Sequence, residues 1–160
     1  MSMQISYTLN GRKLTDEVDP VQPLTEYLRE KGCFSVKRGC ETSNCGLCTV
    51  LVDGRPVLSC ATLTARINGK TVETLEGLQD AAAEIGAYLA DEGAEQCGFC
   101  SPGLIMNIIA MTRELDHPTE AEIKAYLAGN LCRCSGYEGQ LRGIRAYLDY
   151  KRHGDRKSVV

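Results

Sequence analysis

The stretch Gly39–Cys60 reads GCETSNCGLCTVLVDGRPVLSC, and its reading decides the fold. It sets Cys40, Cys45, Cys48 and Cys60 at gaps of four, two and eleven residues. Three of these thiols crowd into one loop with Gly39 and Gly46, where a missing side chain lets backbone approach a bound group closely. After Cys48, Thr49 to Val52 is apolar and β-branched, Asp53-Gly54 accepts a two-residue hairpin turn, and Arg55 to Leu58 runs back. Cys60 thereby returns beside the loop that carries the other three thiols.

The pattern C-x4-C-x2-C with a distant fourth cysteine is plant-type 2Fe–2S spacing. A zinc ion held by four cysteines is the competing reading, but zinc sites usually pair two C-x2-C-like hooks. Further along stands a second set, in Gln96–Gly103 (QCGFCSPG) and Asn130–Tyr137 (NLCRCSGY). It contributes Cys97, Cys100, Cys132 and Cys134. Taken alone, C-x2-C with a distant C-x-C suits zinc and iron–sulfur equally well. A helix beginning after Ser101 would offset thiolate charge with its positive end.

Eight of the nine cysteines are thus used, leaving Cys33, which reads as a small buried apolar residue. Cysteines in two sets of four plus one, without an export signal, favour metal over disulfide. His117 and His153 stand apart from both sets.

The 160 residues have an ordinary globular composition, 43% apolar and 24% charged, with a net charge of −3. A mild acidic excess argues against a nucleic-acid partner, which requires a basic face. The N-terminus alternates rather than forming a signal peptide, and no window approaches the roughly 20 apolar residues of a membrane span. The expectation is a cytoplasmic protein with no membrane contact.

In chain order, Gln4 to Leu9 alternates as a strand with Ile5, Tyr7 and Leu9 on one face, Asn10-Gly11 turns, and Arg12 to Val18 pairs back. Leu24, Tyr27 and Leu28 form the apolar stripe of a helix over Leu24 to Lys31. Asn68-Gly69 predicts a third hairpin, between Ala65–Ile67 and Lys70–Thr74. Near Glu76-Gly77 strand signals give way to helical ones: Asp80 to Glu92, Pro102 to Leu115, a capping box Thr119-x-x-Glu122 opening a helix to Ala128, and Gly139 to Lys151. The fold class is α+β: a small mixed sheet crossed by one helix over residues 1–76, compatible with a β-grasp ferredoxin though periodicity alone does not single that topology out, and a four-helix unit over 77–152. A frayed tail is expected over 153–160.

With QCGFCSPG and GNLCRCSGY nearly complete and in this order, the chain resembles the small iron–sulfur subunit of molybdenum hydroxylases, the xanthine dehydrogenase and aldehyde oxidoreductase family. The resemblance spans roughly Gln4 to Tyr150. It implies two 2Fe–2S clusters, one on Cys40, Cys45, Cys48 and Cys60, the other on Cys97, Cys100, Cys132 and Cys134. It also implies a hetero-oligomer: a large molybdopterin subunit that hydroxylates a heterocycle or aldehyde, and usually a medium FAD subunit. Gln96 and Cys134 fall where the family touches the pterin. Electrons would pass from molybdenum through the helical cluster and then the ferredoxin-like one towards flavin, with no acid–base catalysis in this chain. Two departures are Glu-Thr-Ser-Asn between Cys40 and Cys45, and Leu47 where a small residue is common.

Overall fold

The computed structural model describes residues 2–154. Its first half is a mixed sheet of strands β1 (Met3–Leu9), β2 (Arg12–Val18), β3 (Thr49–Val52), β4 (Arg55–Leu58) and β5 (Thr71–Glu73), crossed by helix α1 (Leu24–Glu30). The strand order is β2-β1-β5-β3-β4, with β1 and β5 parallel and the other pairs antiparallel. Both two-residue turns form as the sequence predicts. Leu9 pairs with Arg12 and Val52 with Arg55, and Asn10, Gly11, Asp53 and Gly54 all take positive φ.

The third hairpin does not form. Thr64–Ile67 is a short 3-10 turn, not a strand, and β5 pairs with β1 in parallel. Long-range bonds outweigh the local turn signal. Asn68 Oδ1 accepts from Ser6 N at 2.9 Å and Gly69 N donates to Ser6 O at 2.7 Å, docking the turn on β1. Thr64 is tied to Gln22 O through both its N–H and its hydroxyl.

The second half contains α2 (Gln79–Asp91), α3 (Ser101–Glu114), α4 (Glu120–Tyr126) and α5 (Glu138–His153). Both bonds of the Thr119–Glu122 capping box are present. Helix α4 stops at Tyr126, short of the expected Ala128, because Ala128 N tightens onto Ala125 O and leads into Gly129-Asn130. His153 still belongs to α5, while most of the expected frayed tail, 155–160, lies outside the described residues. No helix among the described residues is long and apolar enough to cross a membrane.

Two groups of buried side chains hold the chain together. Ile5, Tyr7, Leu9, Val50 and Val72 pack against Leu24, Tyr27 and Leu28 of α1, and Cys33 joins them as a buried apolar residue. The other group lies among α2–α5, with Ile85, Leu89, Ile108, Met111 and Ile144 nearly inaccessible to solvent. Strand alternation links the two: Val50 of β3 faces the α1 core, while Leu51 faces the helices. Each fully buried Leu or Ile contributes about 1.5–3 kcal/mol over its exposed state, so β3 is anchored from both sides. Tyr7, Tyr27 and Tyr88 are buried, whereas Tyr126 is half-buried with its hydroxyl donating to Glu114. Arg142, Arg145 and Lys151 keep solvent-exposed side chains, each paired with a glutamate.

Candidate metal centres

The loop between α1 and β3 presents Cys40, Cys45 and Cys48, and the turn after β4 brings Cys60 to them. Within this set the sulfurs lie in two pairs. Cys48 and Cys60 are 3.3 Å apart, and the Cys40 and Cys45 thiols are hydrogen-bonded. The backbone N–H groups of Asn44, Thr42 and Cys45 converge on the Cys40 sulfur and, with the Cys45 thiol, lower its pKa to about 6. A loop that aims several amides at one sulfur is built for negative charge there. Burial pushes the Cys45 and Cys48 thiols upward. Leu47 is buried, and a Cβ on Gly39 would come within 2.7 Å of its Cδ2, so the bulkier residue covers the loop from inside. Glu41, in the unusual Glu-Thr-Ser-Asn segment, is paired with Arg38 at 2.9 Å.

The second set is divided in the same way. Cys97 and Cys134 are 3.5 Å apart, and Cys100 and Cys132 are hydrogen-bonded through their side chains. Burial first, then the bond and charge of Cys132 and the charge of Glu95, push the Cys100 thiol up to about 12. Although burial opposes it, the Cys132 thiol is lowered by the Ser135 hydroxyl and N–H, the Cys134 N–H and the Cys100 thiol. Helix α3 begins at Ser101, so its positive end abuts Cys100. Gln96 Nε2 donates to Cys134 O at 3.1 Å, bringing together the two residues expected to face a pterin.

All nine cysteines are free thiols. A 2Fe–2S cluster takes two thiolates on each of two irons, whereas zinc draws four ligands to one point. Two pairs per set, with amides turned to sulfur, fit the two-iron group.

Three residues around the second set escape sequence reading. Gln140 is buried on α5 and directs Nε2 to Cys100 Sγ at 3.8 Å; a glutamine on an otherwise apolar face was the available signal. Tyr137 accepts from Cys132 N through its hydroxyl at 3.0 Å. Asn130 is buried and donates to Gly46 O of the first loop at 3.3 Å. Beside that contact, Leu131 N donates to Cys45 O at 2.9 Å, so one backbone hydrogen bond joins the two cysteine loops. A cleft of about 480 Å³ is lined by Cys40 and Cys45 from one set and Cys97, Cys100, Cys132 and Cys134 from the other. Phe99 borders it, 47% exposed, with Lys37 Nζ 5.9 Å from its ring centre.

This fold, with two thiol sets facing one cleft, defines a two-cluster iron–sulfur electron-transfer protein. Residues 4–85 match the 2Fe-2S iron-sulfur cluster binding domain family, and residues 74–145 match the 2Fe-2S binding domain family. The xanthine dehydrogenase iron-sulfur-binding subunit of Escherichia coli O157:H7 is 46% identical over 141 residues, covering 86% of this chain and 89% of that one. The nicotine 6-hydroxylase small subunit of Paenarthrobacter nicotinovorans is 38% identical, covering 85% of this chain and 84% of that one. Quinoline 2-oxidoreductase from Pseudomonas putida 86 superposes with a TM-score of 0.84 at 37% identity, over 96% of this chain and 98% of that one. The chain belongs to the family of small iron–sulfur subunits of molybdenum hydroxylases and is an electron-transfer component of an oxidoreductase.

Proposed function

We propose that Cys40, Cys45, Cys48 and Cys60 hold one 2Fe–2S cluster and that Cys97, Cys100, Cys132 and Cys134 hold the other. The observation that carries the assignment is the two-plus-two pairing of sulfurs in each set. Each cluster, when bound, accepts and releases a single electron. The chain's own residues fix thiolate positions, point amides at sulfur, exclude water through Leu47, and link the loops through Cys45 O and Leu131 N. Residues 1–76 and 77–152 form the ferredoxin-like and helical units that carry these sites.

In this reading the helical site faces the molybdopterin of a large partner subunit, with Gln96 and Cys134 at the contact. The first site faces FAD on a medium subunit or an external acceptor. The related chains serve xanthine dehydrogenase, nicotine 6-hydroxylase and quinoline 2-oxidoreductase, which favours an N-heterocycle or aldehyde as the complex's substrate. Nine free thiols suit a reducing cytoplasm.

Iron, sulfide and zinc analysis of the purified chain, with EPR of the reduced form, tests the assignment. Two distinguishable signals are expected, with Cys45→Ser removing one and Cys100→Ser the other. Colourless, zinc-loaded protein would instead establish a zinc-stapled module. In the assembled complex, Gln96→Ala is expected to slow molybdenum-to-cluster transfer with both clusters intact, and unchanged single-turnover reduction would refute that contact.

A further inference from the structure

Beyond the eight thiols, one carboxylate is fixed against the ligand loop of the helical site. Glu95 precedes Gln96 and Cys97, and both its oxygens accept from Ser101 Oγ, at 2.8 and 2.9 Å. Ser101 follows Cys100 and opens α3. Glu95 Oε2 also lies 3.9 Å from where a Cβ on Gly98 would stand. The carboxylate therefore spans the Cys97–Ser101 turn, although the residue is solvent-exposed.

The two sites differ in how their nearby carboxylates are neutralised. Glu41, between Cys40 and Cys45, is paired with Arg38 at 2.9 Å, a cation it shares with Glu26 at 3.0 Å. Among the described residues Glu95 forms no ion pair, and its hydrogen-bond partner is the neutral Ser101. Arg133, the cation on the opposite ligand loop, is exposed and forms no ion pair with it.

Adding an electron to a cluster adds negative charge, and a fixed anion alongside opposes that step. We propose that the Glu95 carboxylate, held by Ser101, lowers the reduction potential of the cluster at Cys97, Cys100, Cys132 and Cys134 and thereby biases the electron towards the cluster at Cys40, Cys45, Cys48 and Cys60. The exchange is balanced: the one electron lost by the helical site is the one gained by the other, and no bond or proton moves. The inference rests on the ligand assignment proposed above.

The test is an EPR-monitored redox titration of the full chain with both clusters loaded. Glu95→Gln keeps an oxygen to accept from Ser101 but removes the charge. It is expected to raise the midpoint of the signal that Cys100→Ser abolishes and to leave the other signal in place. For a solvent-screened charge the expected redistribution between sites is about threefold, equal to about 28 mV at 59 mV per tenfold for one electron. Glu95→Asp, which retains the charge, should restore most of the difference, an outcome that a merely structural role does not predict. Ser101→Ala, which releases the carboxylate, should give a smaller shift in the same direction and decides the matter if Glu95→Gln fails to load. Midpoints unmoved, or both moved together, overturn the role of Glu95. Absence of a second signal from the unsubstituted chain overturns the ligand assignment instead.

Discussion

Gly103→Ala pits two physical effects of opposite sign against each other. Within a helix, alanine is favoured over glycine by about 1 kcal/mol, so local propensity alone predicts stabilisation. Gly103, however, lies in the first turn of α3 against the ferredoxin-like cysteine loop. A Cβ there would stand 2.5 Å from Gly46 O and 2.8 Å from Leu47 Cα, both backbone atoms. Overpacking costs about 1–3 kcal/mol even where side chains can yield, and backbone yields least, so the upper end applies. Net destabilisation of about 2 kcal/mol follows, or about 4–8 °C in the unfolding midpoint for a chain of this size. Gly86 in α2 is the control, because a Cβ there meets nothing within 4 Å. Gly86→Ala should gain the propensity term, about 1 kcal/mol and about 2–4 °C. The assay is thermal loss of cluster absorbance for both variants at one scan rate. If both variants were stabilised, the backbone contact between α3 and the Cys45–Cys48 loop would not be as close as described.

Asn130→Ala removes the buried bond to Gly46 O and should cost about 1 kcal/mol, or about 2–4 °C, in the same melt, while both EPR signals remain. Cys33→Ala should likewise keep both EPR signals and full iron content, with a loss of about 1 kcal/mol from trimming a buried side chain; a missing signal would make Cys33 a ligand. Asp16 is held below its ordinary value of 3.8 by hydrogen bonds from Tyr27 and Lys31, and then from Tyr7. A carboxylate with a depressed folded-state pKa contributes stability above its unfolded pKa and loses it as pH falls through the folded one. Denaturant midpoints should therefore fall below about pH 4, and Asp16→Asn should flatten that acid limb while lowering the neutral-pH plateau; an unchanged acid limb would refute the role.

Much of the architecture was legible in the sequence because it rests on local chemistry. Asn10-Gly11 and Asp53-Gly54 need positive φ, and both adopt it. Leu24, Tyr27 and Leu28 lie on one helical face, and all three are buried. Thr119 and Glu122 satisfy each other within four residues. Asn68-Gly69 misled because it carries the same turn signal, yet its amide and carbonyl groups are claimed by Ser6, 62 positions earlier. Pairing within each thiol set was equally out of reach. Spacing names the four cysteines, but which sulfur meets which depends on the return of β4 and on the approach of the Cys132–Cys134 loop to α3. Gln140 reaches Cys100, and Asn130 reaches Gly46, only through such long-range packing.

The meeting of the two halves explains why one chain carries both sites. Gly46 O accepts from Thr49 Oγ1 at 2.7 Å and from Asn130 Nδ2 at 3.3 Å, and it lies against Gly103 of α3. The preceding Cys45 O accepts from Leu131 N, whose next residue is Cys132. Cys45 of one thiol set is thus separated from Cys132 of the other by one hydrogen bond and a single peptide step. Further out, Arg113 of α3 grips both oxygens of Glu73 on β5, at 2.8 and 3.2 Å, and Asn107 donates to Thr49 at 3.1 Å. These clamps hold α3 to the sheet one and nearly three turns beyond the loop contact at Gly103. The close backbone packing of Gly103 on Gly46 and Leu47 therefore fixes how the first cysteine loop sits against α3, where the second set begins. Two separately folded modules on a flexible linker would keep the cysteine motifs and lose that fixed spacing.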